Sequence, residues 1–161
     1  RAAVLHVYDR KHLDAVPRRY TVGVGSALAD TWAAEPDGSY DLWVMGPNGF
    51  LRHVQGTIDG AATRRPEVRA EYGRAVTLQL ANTGTAACTF VVRANAYRRV
   101  APQSVTVGPG ETKPVRWSVG SGRGWYDVSV TCDADAGFLR RLAGRLENGK
   151  PGVTDPMMGV V

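Results

Sequence analysis

Apolar and polar residues alternate along most of the chain, and this pattern predicts β-strands. Apolar side chains stand at every second position of "AAVLHVY", "YDLWVM" and "AVTLQLAN", which are also rich in Val, Leu and aromatic residues. Turn sequences such as Pro47-Asn48-Gly49 and Gly108-Pro109-Gly110 separate such segments. The other predicted strands are "RYTVGV", "FLRHVQG", "VRAEY", "CTFVVRAN", "SVTVG", "TKPVRWSV", "WYDVSVT" and "FLRRLAGRL". Residues 138–146 alone could also suit a helix, but their counterpart at 50–57 favours a strand.

The chain also repeats itself. The segment "YTVGVGSALADTW" (residues 20–32) aligns without a gap with "VTVGPGETKPVRW" (residues 105–117). Further along, "YD" and "GFLR" recur in the same order, first in "YDLWVMGPNGFLR" and then in "YDVSVTCDADAGFLR". Upstream, "LHVYDRKH" falls over "FVVRANAY" in the same register. This constant order of landmarks indicates a tandem repeat.

Many short strands with regular turns are typical of β-sandwiches, so we predict an all-β fold of two tandem immunoglobulin-like β-sandwich units. The first repeat is assigned to residues 1–60, a linker to residues 61–66 and the second repeat to residues 67–148. Residues 149–161, which are rich in Gly and Pro, are predicted to form a flexible tail.

The first repeat is predicted to lack its two opening strands. Residue 1 aligns with residue 86, so residues 67–85 have no counterpart in the first repeat. A sandwich without these strands has an open edge and an uncovered apolar face. We therefore expect the strands to come from further upstream or from another polypeptide, or the edge to pair with a neighbouring copy.

Composition narrows the classes of protein. Hydrophobic residues make up 43% of the 161 residues and charged residues 22%, which is typical of a globular protein. No apolar run is long enough to span a membrane, and no export signal is visible. The net charge of +5 comes mainly from arginine and permits attraction to an anionic surface, either phospholipid or nucleic acid. The arginine pairs are scattered, however, and this favours an ordinary solvated surface.

Two long segments carry a family resemblance. "AAVLHVYDRKHLDAVPRRYTVGVGSALADTW" and "GSYDLWVMGPNGFLRHVQG" resemble the C-terminal domain of bacterial phospholipases C of the phosphocholine-preferring, acid-phosphatase-related kind. "LANTGTAACTFVV" and "GWYDVSV" of the second repeat are also similar to it, so the resemblance covers roughly residues 2–146. In that family the domain usually occurs as a tandem pair at the end of the enzyme.

The resemblance implies a non-catalytic accessory region of a secreted phospholipase C, an enzyme of lipid catabolism. The nucleophile and metal ligands of that family belong to an upstream catalytic domain, so no catalytic residue, metal or cofactor is assigned to this chain. The accessory region would stabilise or orient the catalytic domain, or help it to meet a phospholipid surface. The alternative is an independent extracellular binding module of carbohydrate-binding or adhesin type with the same fold.

A search for chemistry in the residues themselves agrees with this assignment. His6, Asp9, His12 and Asp14 lie close together in "HVYDRKHLD". Strand alternation directs His6 away from Asp9, so a metal site would need the loop after Asp9 to fold back. The counterparts of these residues in the second repeat cannot bind a metal, and we predict no metal site. No GxSxG motif is present, and neither cysteine has a histidine partner in its own unit.

The two cysteines leave two alternatives open. Cys88 and Cys132 suit a disulfide in an extracellular module and equally suit two buried free thiols. Neither belongs to a CxxC pair, so a zinc site is not predicted.

One aromatic residue departs from the repeat. Trp43 is predicted to face outward, because Tyr40, Leu42 and Val44 face inward and successive residues of a strand alternate. In the second repeat the counterpart of Trp43 is Ser129. It could anchor the chain on phospholipid, contact the catalytic domain, or be covered by the neighbouring unit. The candidate contact surface consists of Trp43, His53, Arg18, Arg19, Arg52 and Trp125.

Overall fold

The structure, a computed structural model, describes residues 2–149 and 151–158, and these residues form β-strands and loops without any helix. The strands are β1 (Ala3–Asp9), β2 (Arg18–Val22), β3 (Ser39–Met45), β4 (Leu51–Thr57), β5 (Pro66–Tyr72), β6 (Val76–Asn82), β7 (Cys88–Ala96), β8 (Gln103–Val107), β9 (Thr112–Trp117), β10 (Trp125–Cys132) and β11 (Asp135–Arg145). The prediction of an all-β fold is confirmed, and each predicted strand is present. The segment that could also have been a helix lies in β11. No helix that could cross a membrane is found among these residues.

The strands form two sheets. One sheet has eight strands in the order β2-β1-β3-β4-β11-β10-β7-β8, and the other has three in the order β5-β6-β9. All pairs are antiparallel, and β4 and β11 are neighbours at the middle of the large sheet. The predicted units therefore share one continuous sheet, which the sequence did not reveal.

The order of the eight strands is symmetric about the middle of the sheet, because equivalent strands of the two repeats lie at equal distances from it. Strands β2, β1, β3 and β4 of the first unit correspond to β8, β7, β10 and β11 of the second. At the junction His53 pairs with Arg141, and the repeat register makes these two residues each other's counterparts. The sheet thus has an approximate two-fold axis that passes through the His53–Arg141 pair.

The three-stranded sheet covers only the second unit. It packs on β7, β8, β10 and β11, and the apolar layer between the sheets is the core of a β-sandwich. Every residue of that core cluster lies in the second unit. The members with 0% exposure are Val76, Leu78, Leu80, Phe90, Val107, Val128 and Val130.

Among the residues that the structure describes, the first unit has no counterparts of β5 and β6, and no second sheet lies over its apolar face. Most apolar side chains on this face are partly buried, whereas Val7 is buried and Leu28 is 53% exposed. A shallow cavity of about 230 Å³ lies on it. The cavity is lined by Leu5, Val7, Tyr20, Val22, Leu28, Asp30, Trp32, Leu42 and Val44.

The described part of the predicted tail forms no strand, but it contacts the second unit. The indole Nε1 of Trp125 donates a hydrogen bond to the carbonyl oxygen of Val153 at 3.1 Å. The hydroxyl of Tyr97 donates one to Asp155 at 2.8 Å. Residues 150 and 159–161 of the tail lie outside the described residues.

Candidate contact surface and the seam between the units

The repeated "GFLR" builds the seam between the units. Arg52 of β4 donates hydrogen bonds to the carbonyl oxygens of Leu51 at 2.7 Å and Ala143 at 2.8 Å. Arg140 of β11 donates to those of Leu139 at 2.9 Å and Gln55 at 2.6 Å. Ala143 and Gln55 are counterparts in the repeat, so the two arginines make the same contacts across the axis.

The repeated tyrosines complete this arrangement. Arg140 reaches the hydroxyl of Tyr40 at 2.6 Å, and Arg52 reaches that of Tyr126 at 3.1 Å. Each tyrosine stands across from a glycine on the next strand, and a Cβ on Gly56 would lie 2.7 Å from the Tyr40 hydroxyl. The glycine therefore leaves room for the ring.

Each seam arginine also stacks on the phenylalanine of its own repeat. The guanidinium carbon lies 4.1 Å from the ring centroid of Phe50 for Arg52, and 4.3 Å from that of Phe138 for Arg140. Arg52 further donates to the hydroxyl of Tyr72 on β5. Burial raises the pKa of Tyr72 to about 12, so this hydroxyl keeps its proton at neutral pH.

The opposite, outer face of the large sheet carries a charged cluster near the axis. Asp41 accepts hydrogen bonds from His53 Nε2 at 2.6 Å and from Arg10 at 2.9 Å. The Arg10 guanidinium lies over the ring of Trp43, 4.4 Å from its centroid, and Trp43 meets His53 edge-on at 6.0 Å. His53 is buried, so this cluster fixes Trp43 against the sheet.

The second unit places a different cluster at the same positions. Asp127, the counterpart of Asp41, accepts from Arg141 Nε at 2.9 Å and from Asn95 at 2.8 Å. Ser129 takes the place of Trp43 and donates to Asn95 at 3.0 Å. The bond to Asp127 is the main cause that raises the pKa of Arg141. A groove of about 390 Å³ lies between the two clusters.

The outer face carries more cations than anions. The arginines placed on it by strand register and contacts are Arg19 and Arg93, which are exposed, and Arg10, Arg141 and Arg145, which are half-buried. The acidic groups facing the same way are Asp41 and Asp127, and both are already bound to arginine. Two apolar side chains on this face are also exposed, Val4 at 46% and Met45 at 45%.

The structure brings only part of the predicted surface together. Trp43, His53 and Arg19 share the outer face. Arg52 lies on the inner face within the seam, where its donors are taken by the carbonyls and hydroxyls described above. Adjacent residues of a strand point to opposite faces, so the sequence already contained the signal that separates Arg52 from His53.

Arg18 and Trp125 also lie away from Trp43. Arg18 faces inward, pairs with Asp30 at 2.9 Å and stacks over Trp32 at 4.1 Å from its centroid. Asp30 also accepts from the hydroxyl of Tyr20, which contributes most to lowering the pKa of that carboxyl. Trp125 is buried, and the described part of the tail contacts it.

Three side chains that could hold a metal ion converge at the end of β1. The loop after Asp9 folds back, so that His12 Nδ1 lies 3.1 Å from Asp9 Oδ2 and 3.6 Å from Glu35 Oε1. These two carboxylates, Asp9 first, raise the pKa of the exposed imidazole. Glu35 lies far from Asp9 and His12 in the sequence, and no sequence pattern identifies it as a candidate ligand. The absence of a metal stays a prediction.

The two cysteines are buried free thiols on neighbouring strands. Burial raises the pKa of Cys88, and raises that of Cys132 to about 12. Such thiols are poor nucleophiles at neutral pH. Their pairing as a disulfide under oxidising conditions stays a prediction.

The fold and the seam define the class of protein: a β-sandwich repeat domain in which two copies of one unit share a sheet. The chain belongs to the family described as the bacterial phospholipase C, C-terminal domain, whose sequence model matches residues 1–57 and 61–145. The resemblance seen in the sequence is thereby confirmed.

Its relatives are named as phospholipases. The chain is 39% identical to a non-hemolytic phospholipase C of Pseudomonas aeruginosa and 40% identical to one of Burkholderia pseudomallei. It is 40% identical to a hemolytic phospholipase C of Pseudomonas aeruginosa. These alignments cover 97–99% of the chain but only 23–24% of each relative. The chain therefore spans about a quarter of their length.

Proposed function

We propose that the chain is a non-catalytic accessory region of a secreted bacterial phospholipase C, and that its outer sheet face brings the enzyme to a phospholipid surface. The observation that carries this proposal is the outer face itself, which continues across both units. Family membership supports an accessory place at the end of a longer enzyme.

The charges of the outer face favour an anionic bilayer. Arginines near such a surface gain roughly 1 kcal/mol each, and the attraction weakens as salt screens it. Arg19 and Arg93 are exposed and able to reach headgroups. The two carboxylates of this face do not oppose the attraction strongly, because each is bound to an arginine.

The apolar residues of the outer face suit the boundary between headgroups and acyl chains. Met45 is exposed two residues from Trp43 on β3, and Val4 is exposed on the neighbouring β1. The amphipathic ring of Trp43 prefers this depth. An apolar patch flanked by arginines favours lipid over sugar, since sugar-binding sheets present rows of exposed aromatic rings. The carbohydrate-binding alternative has less support from this face.

Vesicle binding tests the proposal. We expect the chain to co-sediment with vesicles of phosphatidylcholine and phosphatidylglycerol, and the double variant Arg19→Glu/Arg93→Glu to bind at least tenfold less, since two positive charges become negative. The double variant Arg69→Glu/Arg116→Glu is the matched control, because both arginines are exposed on the other sheet, on β5 and β9, and the change in net charge is the same. Added salt should weaken binding of the unmutated chain.

Three outcomes would contradict the proposal. If the unmutated chain does not bind vesicles, the proposed phospholipid contact is wrong, and orientation of the catalytic domain is the accessory role that remains. Equal losses in Arg19→Glu/Arg93→Glu and in Arg69→Glu/Arg116→Glu would show an effect of net charge without a defined face. Hydrolysis of phosphatidylcholine or p-nitrophenyl phosphorylcholine by the purified chain would overturn the non-catalytic role.

A further inference from the structure

One row of side chains crosses the outer face of the large sheet from β7 to β1. Strand register places its members side by side in the order Arg93, Ser129, Arg141, His53, Trp43 and Tyr8. The two-fold axis passes through the middle of this row, between Arg141 and His53. The three residues on one side of the axis are therefore the repeat counterparts of the three on the other side.

The two halves of the row differ in chemistry. In the first unit the indole of Trp43 fills the middle position and meets His53 edge-on, with ring centroids 6.0 Å apart. In the second unit Ser129 takes this position, between Arg93 and Arg141. Because a serine side chain is much smaller than an indole, a space remains above Ser129 with an arginine on either side. This space, the serine notch, opens into the groove of about 390 Å³ that Ser129 and Arg141 help to line.

A buried carboxylate fixes Arg141 at the edge of the serine notch. Asp127 accepts hydrogen bonds from Arg141 Nε at 2.9 Å and Nη2 at 2.5 Å. Asn95 donates to the same carboxylate at 2.8 Å and accepts from the hydroxyl of Ser129 at 3.0 Å. In the part of the chain that the structure describes, no group accepts a hydrogen bond from Arg141 Nη1. Arg141 is thus held in one orientation and keeps unused donors, and its side chain is 41% exposed.

Arg93 gives the serine notch its net positive charge. Its side chain is exposed, and it has no ion pair or side-chain hydrogen bond within residues 2–149 and 151–158. Across the notch, the charges of Arg141 and Asp127 offset each other. One positive charge therefore remains, which matches the single negative charge of a phosphate diester. Two strand spacings separate the arginine backbones by about 10 Å, so both long side chains can reach one anion between them.

We infer that the serine notch binds the phosphate diester of a phospholipid headgroup, with Arg93 and Arg141 donating hydrogen bonds to its oxygens. The inference rests on the proposed function, because it assigns one defined headgroup site to the outer face. Planar guanidinium groups suit this role, since they present paired N–H donors to phosphate oxygens. The groove beside the notch is also lined by Leu51 and Leu139, and these apolar side chains suit the glycerol and the first acyl carbons of a lipid.

A short-chain lipid in solution tests the site separately from attraction to a bilayer. The ligand is dihexanoyl phosphatidylglycerol below its micelle concentration, and the backbone amide signal at position 129 reports binding by NMR. Ser129→Trp fills the notch as Trp43 does in the first unit and leaves the net charge unchanged. Ser104→Trp is the matched control, because Ser104 is an exposed serine of the same face on β8. Arg93→Gln is a second variant at an exposed position, where folding does not depend on the side chain.

We expect a saturable shift of this amide signal in the unmutated chain and in Ser104→Trp. The Kd for the lipid should rise about tenfold or more in Ser129→Trp, because the indole occupies the site. It should rise roughly tenfold in Arg93→Gln, because a charged donor is lost. Inorganic phosphate should bind at the same position several-fold more weakly than the lipid, since it has no carbon atoms to contact the leucines of the groove.

The other outcomes separate this inference from the proposed function. Equal affinity of Ser129→Trp and the unmutated chain would overturn the inference, because the notch would not be the site. Inorganic phosphate that binds as tightly as the lipid would overturn the lipid as the source of the phosphate group. Vesicle binding without a saturable shift would refute the headgroup site and leave the bilayer contact standing. A saturable shift without vesicle binding would support the site and refute the bilayer contact.

Discussion

Alanine substitutions at two equivalent valines compare how much the core of each unit contributes to the stability of the fold. Val130 on β10 and Val44 on β3 are counterparts in the repeat, and both point to the inner face of the large sheet. Val130 is 0% exposed beneath the small sheet, whereas Val44 is only partly buried and lines an open cavity. Replacement of each by alanine removes the same two methyl groups from the same place in the repeat.

The expected losses differ by more than twofold. Burial of a methylene group is worth about 0.8 kcal/mol, and a closed core adds the cost of the cavity that is left behind. Val130→Ala should therefore lower the free energy of unfolding by about 2–3 kcal/mol. Val44→Ala should lower it by less than about 1 kcal/mol, because solvent fills the space. The loss of β-propensity is common to both changes and cancels in the comparison.

Equilibrium unfolding in urea measures both losses, with circular dichroism and tryptophan fluorescence as independent probes of the transition. For a chain of this size the Val130→Ala loss corresponds to a fall in Tm of about 5–10 °C. Val115→Ala, at a buried position of β9, is a further reference for the second unit. Equal losses at Val44 and Val130 would refute the reasoning, since they would require the inner face of the first unit to be as dry as the core.

Three further predictions concern single contacts. Arg140→Met should lower the free energy of unfolding by about 2 kcal/mol, measured in urea, because carbonyl groups at the seam lose a charged donor. In an NMR titration, His12 should show a pKa above 6.5, and the substitution Asp9→Asn should lower this pKa. The ion pair then stabilises the fold below pH 6.5, and this stabilisation is lost as the pH rises through the raised pKa of the folded state. With reduced protein at pH 8, Ellman's reagent should react with Cys88 and Cys132 only after unfolding, because both thiols are buried.

The strands and the repeat could be predicted from the sequence, but the joining of the units could not. Alternation and turn residues are local signals, so they located each strand. The pairing of β4 with β11 depends on which edge strands meet in space, and the sequence of neither strand identifies the strand with which it pairs. The candidate surface groups Arg18 and Arg52 with Trp43 by their position in the chain, whereas strand alternation places both arginines on the other face. Its role in contacts with lipid or another domain stays a prediction.

The two-fold axis explains which residues are repeated and which are not. Contacts away from the axis occur twice, so one set of residues serves both halves, and Arg52 and Arg140 with their tyrosines are retained in both copies. A residue on the axis meets its own counterpart, and two arginines there would place like charges side by side. The pair is instead His53 and Arg141, each held by the aspartate of its own unit. The copies therefore share the seam contacts but differ on the axis, and the groove beside this pair has Trp43 on one side and Ser129 on the other.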